Sequence, residues 1–358
     1  MEPIISGIQQ VGIGVCDVYG AWEWYRRVLG FDVPIFDDEG VADRMQRYTG
    51  NAPQNRHAIL AINMQGGGGL EIWQYTTRTP TAPLFKVAAG DLGVFCLRVK
   101  TQDIETALEH IKENNVDVLG CVDTTPAGVQ AFHISDPYGN LIRIEQHPGS
   151  FMNTPSAIGG VCGAVVGVSD VDKSIPFYRD ILGYDTIVYD KTGVFGDLQP
   201  LPGGGENYRR VLLGCSNSRD GAFSRLFGTS TIELLQTLDR FPNMILKDRY
   251  WGDLGYIQIC YDIQGMPALK ARCAAHGFPF TVESNPEATD DNSQFDMGEA
   301  SGIFSYTEDP DGTLIEFVET HKLPILKKIG WYLDLKKRAP KKPLPDWMLK
   351  TLRWNRKK

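Results

Sequence analysis

The stretch GVSDVDKSIPFYRDILGYD (167–185) repeats GVCDVYGAWEWYRRVLGFD (14–32) without a gap, with nine identities in nineteen positions. Self-similarity of this kind sets the architecture and is read before local propensity. In each copy an Asp (Asp17, Asp170) precedes an amphipathic run that closes on Leu-Gly, the pattern of a capped helix. An alternating apolar strand, IQQVGIGV or GAVVGV, leads into it. Further along, GLEIWQ (69–74) matches TIELLQ (231–236), DLG at 91–93 matches DLG at 253–255, and DPYGNLIRIE (136–145) matches DPDGTLIEFV (309–318). The offsets grow from 153 through 162 to 173, so the second half carries insertions, near 200–220 and 284–302. The later one, ESNPEATDDNSQFDMGEAS, is acidic and polar, a lid or a long loop.

Each half divides again. A second strand (VFCLRV; YIQICY) and helix (DIETALEHIKENNV; MPALKARCAAHG) lead to strands that end in DPxGxLI, where Pro and Gly mark a turn between strands. This order predicts an α+β chain of four βαβββ modules, A (6–77), B (91–147), C (161–238) and D (253–320). They group into halves 1–150 and 151–321, followed by a tail, 322–358.

Composition narrows the function classes. A chain of 358 residues suits two domains of ordinary size, and 42% hydrophobic content supplies a core. No run of 18 uncharged apolar residues occurs, and MEPIISGIQQ has neither the basic nor the apolar region of a signal peptide. Seven dispersed cysteines without a CxxC pair read as buried thiols in a reducing compartment. The expected address is the cytoplasm. From Lys322 to Lys358, 13 Lys/Arg face two acids, Asp334 and Asp346, leaving −19 for the rest of a chain whose net charge is −8. An acidic body argues against a nucleic-acid partner. The tail mixes Trp, Tyr, Ile and Leu with cations, the composition of a pair of interfacial helices on an anionic membrane; alternatively its apolar face packs on the acidic body.

The strand–helix–three-strand order, with FYRDILGYD after the first strand and DPDGTLIEF at the end, resembles the vicinal oxygen chelate superfamily over residues 6–320. That group includes glyoxalase I, methylmalonyl-CoA epimerase, extradiol dioxygenases, and fosfomycin- and bleomycin-resistance proteins. The resemblance implies curled mixed sheets forming cups, with a metal held by residues on the first and last strand of each module. Carried onto this sequence, the ligand positions are Gln10 and Glu71 in module A, Val94 and Arg143 in B, Gly163 and Glu233 in C, and Tyr256 or Gly255 with Glu316 in D. Strand alternation agrees for module A: Val11, Ile13 and Val15 face the core, Gly12 and Gly14 keep the cup open, and Glu71 and Trp73 face into it. If neighbouring modules pair, two half-complete sites result. If they interleave, A/D gathers Gln10, Glu71 and Glu316, while B/C keeps Glu233 beside Arg143 as a dead cavity; this is the more economical reading.

The candidate metal ligands are therefore Gln10, Glu71, Glu316 and Glu233. Oxygen donors suit a divalent ion such as Mg, Mn or Zn, with Ni and Fe as further candidates. Glu316, Tyr306 and His133 are the catalytic candidates, the last two lying three residues before the Asp of DPxG, where extradiol dioxygenases resemble this region and carry a Tyr. Trp73, Arg143 and Tyr256 are candidates for substrate contact, Arg143 as a clamp on a carboxylate or phosphate. The implied activity is a metal-dependent lyase, isomerase or epimerase: vicinal substrate oxygens are chelated, an enediolate is stabilised and a proton is moved. The alternatives are an Fe(II) extradiol dioxygenase, which lacks its two histidines here, and a metal-free binding protein of the bleomycin-resistance type. A small molecule with vicinal oxygens is the expected partner, and the chain is expected to be a monomer or homodimer.

Overall fold

A computed structural model describes residues 2–284, 295–296, 301–326 and 331–357. Module A comprises β1 (Ile4–Gly14), α1 (Val18–Leu29), β2 (Val33–Val41), β3 (Asn55–Ile62) and β4 (Gly69–Tyr75). Module B comprises β5 (Gly93–Thr101), α2 (Ile104–Glu113), β6 (Val118–Thr124), β7 (Gln130–Ser135) and β8 (Leu141–Gln146). Module C follows with β9 (Val161–Gly167), α3 (Val171–Asp180), β10 (Thr186–Gly193), β11 (Tyr208–Gly214), the short α4 (Ser224–Phe227) and β12 (Thr231–Thr237). Module D has β13 (Gly255–Gln264), α5 (Met266–Ala275), β14 (Val282–Glu283), β15 (Phe295–Asp296), β16 (Ser301–Glu308) and β17 (Leu314–Leu326). The tail adds β18 (Trp331–Asp334) and α6 (Asp346–Lys350).

The helices begin where their capping residues dictate. Asp17 accepts from the Gly20 amide at 3.0 Å, and Asp103 and Asp170 accept from two amides each of α2 and α3. Gly30 ends α1 at φ 74°, a left-handed conformation that glycine adopts without a Cβ penalty. Helix α5 has Gly265 at its start, and its first amide is satisfied by Glu319 of β17, 2.8 Å from Met266 N. The repeated motifs also meet across modules. Tyr25 of α1 donates to Asp136 at 2.5 Å, and Tyr178 of α3 donates to Asp309 at 2.8 Å. The FYR-type tyrosine of one module thus holds the DPxG aspartate of the next.

The sheets pair otherwise. One runs β14-β16-β17-β13-β1-β4-β3-β2, with β15 on β16 and β18 on β17; the other runs β10-β11-β12-β9-β5-β8-β7-β6. Each is mixed: β1/β13 and β5/β9 pair antiparallel at the seam, while β1/β4, β13/β17, β5/β8 and β9/β12 are parallel. Module A therefore shares a sheet with D, and B with C. The halves interleave. Val11, Ile13 and Val15 join the helices in one apolar core that also takes in Leu97 and Val99 of β5 and Val166 and Val168 at β9.

The tail does not form the expected pair of helices. After the β17–β18 hairpin it crosses the body, and Leu335, Leu344 and Leu349 are buried against Val33, Met64, Phe223 and Phe227. Arg356 pairs with Asp32 and Arg225 with Asp346. Most of the acidic insertion near 284–302 lies outside the described residues, as does 327–330 of the tail. Among the described residues no helix is long and apolar enough to cross a membrane. Cysteines Cys96, Cys162, Cys260 and Cys273 are buried free thiols, but Cys16 and Cys121 are exposed.

Candidate functional site

The A/D sheet curls around a cavity of about 310 Å³. Four polar side chains meet on its floor, one from each central strand. Gln10 comes from β1, Glu71 from β4, Gln258 from β13 and Glu316 from β17. Gln10 Nε2 donates to Glu71 Oε2 at 3.2 Å, and Gln258 Nε2 reaches both Glu71 Oε2 (3.0 Å) and Glu316 Oε2 (3.2 Å). Trp251 Nε1 holds the other end of the Gln258 amide, donating to Oε1 at 2.8 Å. Gly12 lies opposite Gln258 across the seam, and a Cβ there would come within 2.8 Å of the Gln258 side chain. The glycine leaves the space that the amide fills.

Burial governs the electrostatics. It pushes Glu71 above the usual carboxylate range, and Arg56 and the two amides only partly offset it. Glu316 is raised to about 8, by burial first and by the neighbouring Glu71 second, against hydrogen bonds from Tyr306, Cys260 and Gln258. Tyr306 stands directly opposite Glu316 in the β16–β17 ladder. One wall is aromatic: Trp73 and Trp251 meet edge to face at 4.6 Å between centroids, with Tyr306 beyond Trp251 and Phe36 and Phe304 nearby, while Asp38, Asp43, Arg44 and Arg56 also line the cavity. Two carboxylates in such a site repel each other unless a proton or a cation lies between them. Gln10 Oε1 is buried and has no hydrogen-bond partner among the described residues. Carboxylate and amide oxygens are donors for a hard or borderline divalent ion, so the residues present fit a metal. Among the described residues no cluster of three His, Cys, Asp or Glu occurs, and any such site draws on the amides.

The B/C cup is filled. By the motif offsets, Gly163, Glu233, Cys96 and Arg143 stand where the first cup has Gln10, Glu71, Gln258 and Glu316. Glu233 is fully buried and accepts from Arg143 at 2.7 Å and from Arg210 at 2.6 Å; Arg210 also pairs with Asp197, and Glu145 binds Arg98 and Arg143. Three guanidiniums thus face three carboxylates. Burial alone would raise Glu233, but Arg143 and Arg210 hold it well below the ordinary range. This corrects two expectations. Glu233 is engaged by arginines, not free for a metal, and Arg143 is spent inside the protein, not offered to a substrate. His133, the counterpart of Tyr306, is buried in the same cup, where desolvation and then Arg143 depress its imidazole to about 3. It stays neutral and lies in the other sheet from Glu316.

Tyr256 belongs to neither cup. It pairs with Ile13 across the seam, lies in the apolar core and donates to Leu141 O at 2.7 Å. The module D position is Gln258, two residues further on. The β1–β13 ladder shifts register between Gly12 and Ile13, and again between Ile8 and Gln10, which defeats counting from the start of the strand. The alternation of Gln258, Cys260 and Asp262 along β13 was the signal that could have located it. Trp251 and Arg56, which also line the cup, precede or flank the motifs and carried no such signal. The structure thus gathers Gln10, Glu71, Trp73, Tyr306 and Glu316 in one cup and Glu233, Arg143 and His133 in the other.

Residues 7–144 match the family model of the Glyoxalase/Bleomycin resistance protein/Dioxygenase superfamily. Residues 7–144 thus carry a domain of this superfamily. A like fold extends over both halves, as two solved structures show. Glyoxalase I from Zea mays aligns with 87% of this chain and 92% of its own at a TM-score of 0.54 and 14% identity. A putative dioxygenase from Bacillus subtilis subsp. subtilis str. 168 aligns with 88% and 86% respectively, at a TM-score of 0.54 and 15% identity. At these identities the likeness is one of fold. No curated protein matches the chain.

Proposed function

We propose that the A/D cup is the working centre of a metal-dependent enzyme of the lyase, isomerase or epimerase kind, acting on a small molecule with two adjacent oxygens. One observation carries this reading: Glu71 and Glu316 share a floor with Gln10 Oε1 and, among the described residues, neither carboxylate forms an ion pair with an arginine, whereas Glu233 in the sister cup is neutralised by two. Glu71, Glu316 and Gln10 would hold the ion, with Gln258 beside them. When bound, a divalent cation supplies the positive charge that polarises a substrate carbonyl and acidifies the adjacent C–H.

The remaining chemistry belongs to the side chains. Glu316, facing the same floor, would be the group that takes a proton from carbon and returns it. Tyr306 steadies that carboxyl. Trp73, Trp251 and Phe304 keep water from the reacting face and pack against the substrate's carbon skeleton. Among the described residues that line this cup there is no histidine, which sets it apart from a two-histidine iron site.

The test is metal analysis of the purified protein beside Glu71→Gln, Glu316→Gln and Glu233→Gln. The expected result is about one Mn, Zn, Ni or Mg ion per chain, lost from the first two variants and kept in the third. Iron with oxygen-dependent ring cleavage would move the assignment to a dioxygenase. A chain that binds no divalent ion in titration would leave the cup as a binding pocket and refute the proposal.

A further inference from the structure

The tail presents a surface that neither cup explains. Leu335, Leu344 and Leu349 are used up against the body, and Asp334 and Asp346 are paired with cations. Asp346 is held by Arg225, while Arg356 reaches across to Asp32 on the body. What remains outside is of one chemical kind. Trp347 is 61% exposed and Trp354 is 70% exposed, whereas Trp22, Trp73 and Trp251 are buried. The two exposed rings are seven residues apart, Trp347 on α6 and Trp354 on the 3-10 turn that continues it. Leu349, between them in sequence, faces the body. Lys342, Arg353 and Lys357 of the same stretch of chain are exposed and have no carboxylate within 4.0 Å among the described residues.

Two bare indoles are costly to keep in water, and an indole is at its best where one edge meets hydrocarbon and the other meets polar groups. Unpaired cations beside them lack only an anionic partner. We propose that this face of the tail is a docking surface for an anionic lipid bilayer, with Trp347 and Trp354 entering the headgroup region and the cations meeting lipid phosphates and carboxylates. The charge distribution favours a bilayer over a nucleic acid. Most of the molecule carries the net −19 and would repel a polyanion that extended beyond this short patch, whereas a planar bilayer touches the patch alone while the acidic body turns away from it. The geometry sets an orientation, with the tail toward the membrane.

The experiment is flotation of the full-length chain with vesicles of phosphatidylcholine, with and without phosphatidylserine, at rising salt. The expected result is binding to the phosphatidylserine vesicles alone, weakening as salt increases. Arg353→Gln should lower the partition coefficient roughly five-fold, the effect of one cation near such a surface. Trp347→Ala/Trp354→Ala should lower it more than tenfold, with an unchanged melting curve because both rings are exposed. Failure to float with phosphatidylserine vesicles overturns the proposal. So does equal binding to phosphatidylcholine alone, undiminished binding by the double variant, or capture of a single-stranded RNA oligomer in place of vesicles.

Discussion

Arg143 and Glu233 meet at 2.7 Å inside the B/C cup, with neither side chain more than 2% exposed. The same two positions in the A/D cup are Glu316 and Glu71, two carboxylates linked by the amide of Gln258. The exchange of carboxylate for guanidinium at this position, with Arg210 added beside it, separates a site that invites a cation from one that already contains its own.

Glu233→Gln should therefore be a stability variant. It strands Arg143 and Arg210 in the interior with too few carboxylates, and breaking a buried pair from one side costs on the order of 3–5 kcal/mol. Chemical denaturation reads that loss, and metal content per folded chain stays as in the parent. A loss below about 1 kcal/mol, the range of exposed pairs, would show that the network is solvated.

Gly12→Ala should do the reverse. The new methyl meets the movable end of Gln258, so the amide turns away from Glu71 and Glu316 with little strain on the backbone. Disturbing such a supporting contact lowers metal affinity by about 10–100-fold, while the melting temperature barely moves. Titration with Mn or Zn measures the first, and calorimetry the second.

Tyr178→Phe and Tyr25→Phe should cost similar amounts. Each leaves a buried aspartate, Asp309 or Asp136, without the hydroxyl that reaches it from the helix of the preceding module. An orphaned acceptor of this kind costs about 1–3 kcal/mol. Asp309 is raised to about 6 by burial and keeps the amides of Asp311 and Thr313, so the lower part of that range applies. Equilibrium unfolding of the two variants, side by side, checks both the size and the parity.

Acid should weaken the protein through His133. Its folded value of about 3 lies below the ordinary 6.5, so the unfolded chain binds the extra proton first. Stability is full above pH 6.5 and falls as the pH drops toward 3, by up to about 1.4 kcal/mol per pH unit for this one group. His133→Gln removes that slope. Unfolding curves across this range that are parallel for the two proteins would contradict it.

The sequence made the repeats plain because they are local. A capped helix after a strand and a DPxG turn between strands are written in neighbouring residues, and the same tyrosine and aspartate recur in each half. The exchange of partners between halves was open until the ladders at β1/β13 and β5/β9 were seen, since strand pairing at long range leaves no local mark. Glu71 and Glu316 stood out as carboxylates on apolar strands. Gln258 was missed because the bulges opposite Gly12 and Ile8 break the count that would have placed it, and Tyr256 was named in its stead. Arg143 and Glu233 were each noticed alone. That they neutralise each other depends on a contact between modules B and C.

The interleaving has a consequence for how the two cups came to differ. Were residues 1–150 and 151–321 separate copies of one polypeptide, both cups would lie on the boundary between subunits and be related by a twofold axis. Identical subunits make identical cups, so any change that closed one would close the other. Joining the copies in one chain removes that symmetry. Arg143 can then occupy its position without an arginine appearing at position 316, and one cup can be rebuilt as an ionic brace while its twin keeps an open floor.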